Sequence, residues 1–458
     1  AYSYPEVLML TSKILSLLFF TSVVATSTSN PDSSYSQQPG RNDRVTGPVV
    51  EQITELILRE IESKDLDGVS IALFDNTQTI WSAGFGLART NPEVPATAQT
   101  VYRIGSISKL ITDVAILQTV DGGEFELDAP FTDYVPEFQP ENPFGDPITL
   151  RQMMSHYSGL VREPPVGHYF DPTEPSLAET VASLNRTKLV YEPGSWIKYS
   201  NAALAAAGYA LELSEGKPFD VVIQETIFEP LGMKTSSFVP TEVVQSKLAD
   251  GTMWWIDGRE MPAPEFQIAM HPAGSMYSTV EDVATFGRAL LNGGAIGSTK
   301  IISPELLEEM WTPQLVDPSP NWFFEVGLGF SLVSDFEGTL LARHGGGVYG
   351  FSTELSLLPE AQIGVMVAAN RGGMSGVVRH IAHAALRALL AYENGESLPN
   401  IQAAEVPYAS LSDDLKKYSQ LGDQLSPSAP ETFQGLLGDY GWDHSGITIL
   451  EKDGDLHA

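Results

Sequence analysis

Residues 48–86, PVVEQITELILREIESKDLDGVSIALFDNTQTIWSAGFG, decide the fold. Val50, Ile53, Leu56, Ile57 and Ile61 recur at the spacing of one helix face, which predicts an amphipathic helix over 48–64. Two apolar runs follow, Val69–Asp75 and Thr79–Gly86, on either side of a turn begun by Asp75-Asn76. Short β-branched and aromatic runs around a turn predict a β-hairpin. The reverse arrangement comes much later in the chain. Ser352–Leu358 and Ile363–Ala369 pair around Pro359–Gln362, and a long helix starts near Gly376 and runs to Tyr392. Helix and hairpin, a helix-rich middle, then hairpin and helix predict one α+β domain whose sheet is assembled from both ends of the chain.

Composition narrows the chemistry. The 458 residues hold 26 Lys+Arg against 58 Asp+Glu, a formal charge of -32. Phosphate backbones and anionic lipid surfaces select clustered basic residues, so nucleic acid and acidic membranes are poor partners. The 43% hydrophobic content is ample for a core. No cysteine is present, which excludes a disulfide framework, a thiolate metal site and a Cys nucleophile. Any nucleophile must present oxygen or nitrogen.

The ends read differently from the middle. Lys13 precedes the apolar run Ile14–Ala25, which closes on Val23-Val24-Ala25. That pattern reads as a signal-peptide-like leader over 1–25 and predicts a secreted protein. The run is shorter than the roughly 20 residues a helix needs for a stable membrane span. Ser, Pro and polar residues over 26–47 predict a flexible linker. The catalytic domain is expected over 48–395, with a second Pro/Ser/Asp-punctuated linker over 396–430. Beyond it, Ile447–Glu451 alternates like a strand and Asp453-Gly454 signals a hairpin. Residues 431–458 therefore read as the start of a C-terminal β-domain, incomplete in this sequence.

Three short stretches carry chemistry. Ser106-Ile107-Ser108-Lys109 opens an apolar helix (Leu110, Ile111, Val114, Leu117, Val120) that stops at Gly122-Gly123. Residues three apart share a helix face, and a partly desolvated lysine can take a serine proton. Tyr199-Ser200-Asn201 precedes a small-residue helix; a tyrosine hydroxyl facing Lys109 can pass that proton to a leaving group, and Asn201 offers both a donor and an acceptor. His344-Gly345-Gly346-Gly347 comes just before Gly350-Phe351. Residues without side chains there let a substrate lie along a strand edge, with a backbone N–H aimed at a developing oxyanion. Each stretch alone is also compatible with a bland role as an N-cap, a surface turn or a glycine-rich loop.

In that order the three motifs resemble the serine β-lactamase and penicillin-binding-protein-like family, in its class C-like branch of β-lactamases, D-alanyl-D-alanine carboxypeptidases, D-aminopeptidases and esterases. The flanks agree: Tyr102–Gly105, Ser155-His156-Tyr157-Ser158-Gly159-Leu160, Pro230–Met233, Pro272–Ser275, Ser278-Thr279 and Asp282. The resemblance spans about 48 to 393. It implies an antiparallel sheet flanked by helices plus an all-helical subdomain, and hydrolysis of an ester, amide or small peptide-like substrate through a covalent acyl-enzyme. It assigns Ser106 as nucleophile, Lys109 as its proton acceptor and Tyr199 as general base and acid. Asn201 is expected to contact Lys109 and the substrate amide, and the N–H groups of Ser106 and Gly347 to hold the oxyanion beside Gly346. His344 stands where many relatives carry a lysine, and a largely neutral imidazole puts strong β-lactam recognition in doubt. Acyl transfer, β-lactam or D-Ala-D-Ala turnover, and a non-catalytic binding role stay open. No cofactor or metal is expected.

Other features are weaker. His344–Gly347 resembles the oxyanion loop of an α/β-hydrolase, but no downstream G-x-S-x-G elbow exists. His380 and His383 lack a third ligand near in sequence and read as surface or core residues, and His156 reads as structural, satisfied by backbone. Asn185-Arg186-Thr187 is a glycosylation sequon for a secreted eukaryotic chain. Substrate choice is expected in Glu163–Pro175 and Met253–Phe266, where Trp254 and Trp255 offer an aromatic wall.

Overall fold

Eight strands lie side by side in one antiparallel sheet, and a ninth pairs at its flank. In the computed structural model the described residues are 35–38, 47–254, 260–264, 267–315, 325–401, 438–442, 445–452 and 455–457. The strands are β1 (Tyr35–Gln38), β2 (Gly68–Asp75), β3 (Thr79–Thr90), β4 (Glu93–Pro95), β5 (Glu325–Val326), β6 (Ser331–Phe336), β7 (Thr339–Val348), β8 (Phe351–Leu358) and β9 (Ile363–Ala369). Their order is β1-β3-β2-β9-β8-β7-β6-β5, with β4 on β3. The N-terminal hairpin β2–β3 and the C-terminal hairpin β8–β9 meet along β2 and β9, register Ile71↔Val367. The sheet is thus closed from both ends of the chain, as the sequence predicts.

The period of two assigns each face of the sheet. Val69, Ile71 and Leu73 of β2, with Val365 and Val367 of β9, pack under helices α1 (Pro48–Lys64) and α5 (Ser375–Glu393). Ala72 and Phe74, with Leu355, Leu357 and Met366, face the opposite core. That second core includes α2 (Ser108–Asp121), α3 (Asn201–Glu215) and α4 (Val280–Leu291). α2 and α3 are buried almost all round, and α3 presents Ala202, Ala203, Ala205, Ala206 and Ala207 within that core. Small side chains let neighbouring helices approach closely.

The structure departs from the sequence reading in three places. Within the 26–47 lead-in, predicted to be flexible, Tyr35–Gln38 adds an edge strand to β3, in register Tyr35↔Phe85. A free strand edge offers a row of unpaired N–H and C=O groups, which a polar segment can satisfy without apolar content. Second, His344–Gly347 is itself the second half of β7, which sets aside the bland alternative of a glycine-rich loop. Third, Ser106 lies in a 3₁₀ turn, Gly105–Ile107, and α2 begins only at Ser108. Near the end of the chain, β10 (Gly438–Trp442), β11 (Ser445–Lys452) and β12 (Asp455–His457) form a three-stranded antiparallel unit with the expected hairpin. The 1–25 leader and residues 402–430 of the second linker lie outside the described residues. Among the described residues, no helix is long and apolar enough to cross a membrane.

Candidate active site

Three backbone anchors set the nucleophile turn. Ile104 N–H donates to Met276 O at 2.9 Å, Ser108 Oγ donates to Gly105 O at 2.6 Å, and Met276 N–H donates to Ser108 Oγ at 3.1 Å. Thr353 Oγ1 on β8 donates to Ile104 O at 2.9 Å and ties the turn to the sheet. Gly105 has φ +56°, and a Cβ on it would stand 2.8 Å from Gly347 N. A Cβ on Gly346 would stand 2.0 Å from Ile104 O. The two glycines therefore let β7 lie directly on the turn that carries Ser106.

Lys109 is fully buried behind the serine. Its Nζ donates to Ser106 Oγ at 3.1 Å and to Ala273 O at 2.6 Å, and lies 4.8 Å from the Tyr199 ring centroid. Burial pushes the Lys109 ammonium below its ordinary value; the Tyr199 hydroxyl and the Glu163 carboxylate oppose this, and Arg162 adds to it. An amine so placed can accept a proton that a solvated lysine could not. Pro272-Ala273-Gly274, part of a short helix at His271–Gly274, matters here through a carbonyl.

Tyr199 is held by what surrounds it. Ser200 caps α3: its Oγ accepts from Ala203 N–H and donates to Val161 O. His156, in left-handed backbone at φ 64°, accepts Ser200 N–H on Nδ1 at 3.3 Å and packs against Tyr199 at 4.2 Å between centroids, tilted by 40°. The imidazole is thus satisfied by backbone, and it also supports the tyrosine ring. Burial first, with the Lys109 and Arg162 cations nearby, holds His156 well below its ordinary value, so it is neutral. The Arg162 guanidinium covers Tyr199 at 5.0 Å.

His344 is buried on β7, 6.5 Å between centroids from Tyr199. Its Nδ1 lies 2.7 Å from Gly345 O, an acceptor only, so Nδ1 carries the proton and Nε2 is the open acceptor. Burial, with Lys109 and Arg343 nearby, pushes its pKa down to about 3. On the other side of the sheet Arg343 grips Glu354 in a two-pronged ion pair, 2.6 and 2.9 Å. β6 pairs with β7 only as far as Arg343↔Ser331, so His344–Val348 has β8 on one side alone. The turn Tyr349-Gly350 makes Val348↔Phe351 a bonded pair. By antiparallel alternation Gly345 and Gly347 then turn their N–H and C=O groups to the open edge.

The structure thus brings Ser106, Lys109, Tyr199, His344, Gly346 and Gly347 to one place. Asn201 is beside them with a different partner. Its Nδ2 donates to Glu163 Oε1 at 2.7 Å, and its Oδ1 has no hydrogen-bond partner among the described residues. The expected Asn201–Lys109 bond is not made; Lys109 Nζ contacts Ser106, Ala273 and Tyr199 instead.

The pattern of the protein family described as Beta-lactamase matches residues 51–389. The chain belongs to that family. It is similar to the human "Putative beta-lactamase-like 1", 27% identical over 69% of this chain and 64% of the relative. It is similar to the D-alanyl-D-alanine-carboxypeptidase/endopeptidase AmpH of Escherichia coli, 26% identical over 79% and 92%. An unguisins hydrolase of Aspergillus campestris is 26% identical over 70% of this chain and 62% of its own. The chain spans a little under two thirds of the human and Aspergillus relatives. Among solved structures, the octameric penicillin-binding protein homologue of Pyrococcus abyssi superposes with a TM-score of 0.67 at 27% identity, covering 80% of this chain and 81% of that one. Within this family member, Arg162, Glu163 and the Ala273 carbonyl are site components that motif reading misses. Glu163 is visible there only as the first residue of the loop Glu163–Pro175, where substrate choice is expected, and a carbonyl leaves no letter in the sequence.

Proposed function

We propose that this Beta-lactamase-family protein is a serine hydrolase acting through an acyl-enzyme on Ser106, with an ester, amide or small peptide-like acyl donor. The observation that carries the reading is the 3.1 Å contact between Ser106 Oγ and a buried lysine whose pKa is lowered chiefly by burial. Uncharged Lys109 takes the Ser106 proton as Oγ attacks the acyl carbon. The tetrahedral oxyanion accepts from the N–H groups of Ser106 and Gly347 on the open edge of β7. The proton passes by way of Tyr199 Oη to the leaving oxygen or nitrogen as the acyl bond breaks. Water then attacks the Ser106 ester, its proton passes to the same pair and on to Ser106 Oγ as the Oγ–acyl bond breaks, and the acid is freed. Because His344 is neutral, β7 offers no cation at this point to a substrate carboxylate.

The test is mass spectrometry after exposure to a fluorophosphonate or an activated ester. A single adduct on Ser106, lost in Ser106→Ala, is expected; no adduct, or one that survives the substitution, refutes the mechanism. Product analysis with and without an alcohol acceptor separates hydrolysis from transfer. Export from the cell belongs to the same proposal and rests on the run before Ala25. Its check is the N-terminus of the protein recovered from the medium of expressing cells.

A further inference from the structure

His383 stands out in the sequence and has no task in the mechanism. It lies on α5, which packs across β8 and β9 on the face of the sheet turned away from Ser106. Arg379, His383 and Arg387 follow one another at intervals of four and form one stripe along that helix. Beneath the stripe the strands supply a buried ion pair. The register sets Arg343 opposite Ser356 and Gly345 opposite Glu354. On that face Arg343 holds Glu354 at 2.6 and 2.9 Å, and Ser356 Oγ donates to Glu354 Oε1 at 3.2 Å. Phe336, at the end of β6, closes one side. His383 meets its ring edge to face at 5.3 Å between centroids, and the Arg387 guanidinium lies 4.6 Å from its centroid.

Donors outnumber acceptors in this cluster. Arg343 is matched by Glu354, and Arg387 by Glu337 at 2.6 Å. Arg379 has no hydrogen bond or ion pair among the described residues. It reaches solvent, yet it feels both Arg343 and Glu354. His383 Nε2 is buried with no partner among the described residues. Burial pushes this imidazole down to about 4, with Arg343, Arg387 and Arg379 adding and Glu354 opposing, so it is neutral at neutral pH. Three guanidinium groups therefore face two carboxylates, which leaves one positive charge unmatched in a chain of net charge -32. The remote carboxylates do not cancel it, because their field is screened beyond about 8 Å at physiological ionic strength. Cations so close repel one another, and a bound anion removes that cost. A tetrahedral oxyanion suits the place better than a carboxylate: its separate oxygens can accept from Arg379, from an N–H on His383 Nε2 and from Arg387.

We propose that Arg379, His383 and Arg387 form a second binding site, on the back of the sheet, that takes a phosphate-like oxyanion. The Arg343–Glu354 pair is its floor. The site stands apart from the acyl-enzyme chemistry and does not depend on it.

The experiment is titration calorimetry on the full chain at neutral pH, with ionic strength held constant by chloride. Inorganic phosphate and glycerol phosphate are the two ligands. Saturable binding in the millimolar range or tighter is expected, weakened about tenfold or more in Arg379→Gln, the scale of a charge-assisted hydrogen bond. Arg379 is exposed, so this variant should keep its fold, which circular dichroism checks. The second readout is the pair of imidazole nitrogen resonances of His383, identified by their loss in His383→Gln. They should move with phosphate in the wild-type chain and stay still in Arg379→Gln. Tighter binding of glycerol phosphate assigns the site to a phosphomonoester, and equal or weaker binding to the free ion; both support it. No binding at millimolar phosphate, an affinity that Arg379→Gln leaves unchanged, or His383 resonances that ignore the ligand overturns the proposal.

Discussion

Gly346→Ala tests whether the contact between β7 and the nucleophile turn holds the site in working geometry. The added methyl would stand 2.0 Å from Ile104 O and 2.2 Å from Thr353 Oγ1. Carbon–oxygen contacts of the weakest favourable kind begin near about 3.3 Å, so the strand and the turn must part by roughly 1 Å or more. Thr353 cannot swing aside without cost, because its hydroxyl is bonded to the same Ile104 carbonyl at 2.9 Å. The displacement therefore falls on the spacing between Ser106 and Gly347 N–H. A misplacement of that size costs on the order of 10²-fold in rate, and overpacking of this kind about 1–3 kcal/mol of stability. Gly345→Ala is the internal control. Its methyl would stand 3.1 Å from Glu354 Oε2, a side-chain end, with Arg343 and Thr353 at ordinary contact distances of 3.6 and 3.7 Å. The assay is the pre-steady-state acylation rate of Ser106 with a p-nitrophenyl ester, alongside thermal unfolding of both variants. A Gly346→Ala protein that acylates at the wild-type rate refutes the argument. So does one that loses acylation no more than Gly345→Ala does.

Lys109→Arg keeps a cation of similar reach but cannot release its proton at neutral pH; acylation should fall by about 10²–10⁴-fold, as followed by p-nitrophenol release, while near-ultraviolet circular dichroism reports whether the core is kept. His344 is held at about 3 in the folded protein, below the ordinary histidine value, so its contribution to stability is full above about pH 6.5 and lost as pH falls toward 3. At most about 1.4 kcal/mol per pH unit comes from one such group, and thermal midpoints from pH 7 to 5 should decline less steeply in His344→Gln; an unchanged slope contradicts the buried neutral imidazole. Glu354→Gln leaves Arg343 buried without its charge partner and should destabilise by about 3–5 kcal/mol, measured by urea denaturation. A shift within error there would mean that the pair is reached by solvent.

What the sequence discloses divides along the range of the interactions. α1, the hairpins β2–β3 and β8–β9, and α5 announce themselves because each buries one face or run of its own apolar side chains, and that periodicity is local. β7 does not, because Ala342–Val348 contains Arg, His and three glycines, none of which favours a strand. Its extended form is imposed by the β8 ladder on one side and by the close approach of Gly105 on the other. The site follows the same division. Ser106 and Lys109 are legible because one helical turn joins them. Tyr199 becomes legible only through the order of motifs. Arg162 and Glu163 reach it through a loop that turns at His156, φ 64°, and Gly159, φ 72°, and then lies against the start of α3. No spacing rule within the sequence encodes that return. This explains why the motifs name the reacting atoms while Glu163 is read only as the start of a loop, without its partner. Chemistry here is written in residues a turn apart, whereas the loop beside it is held by a tertiary contact, the 2.7 Å bond between Asn201 and Glu163.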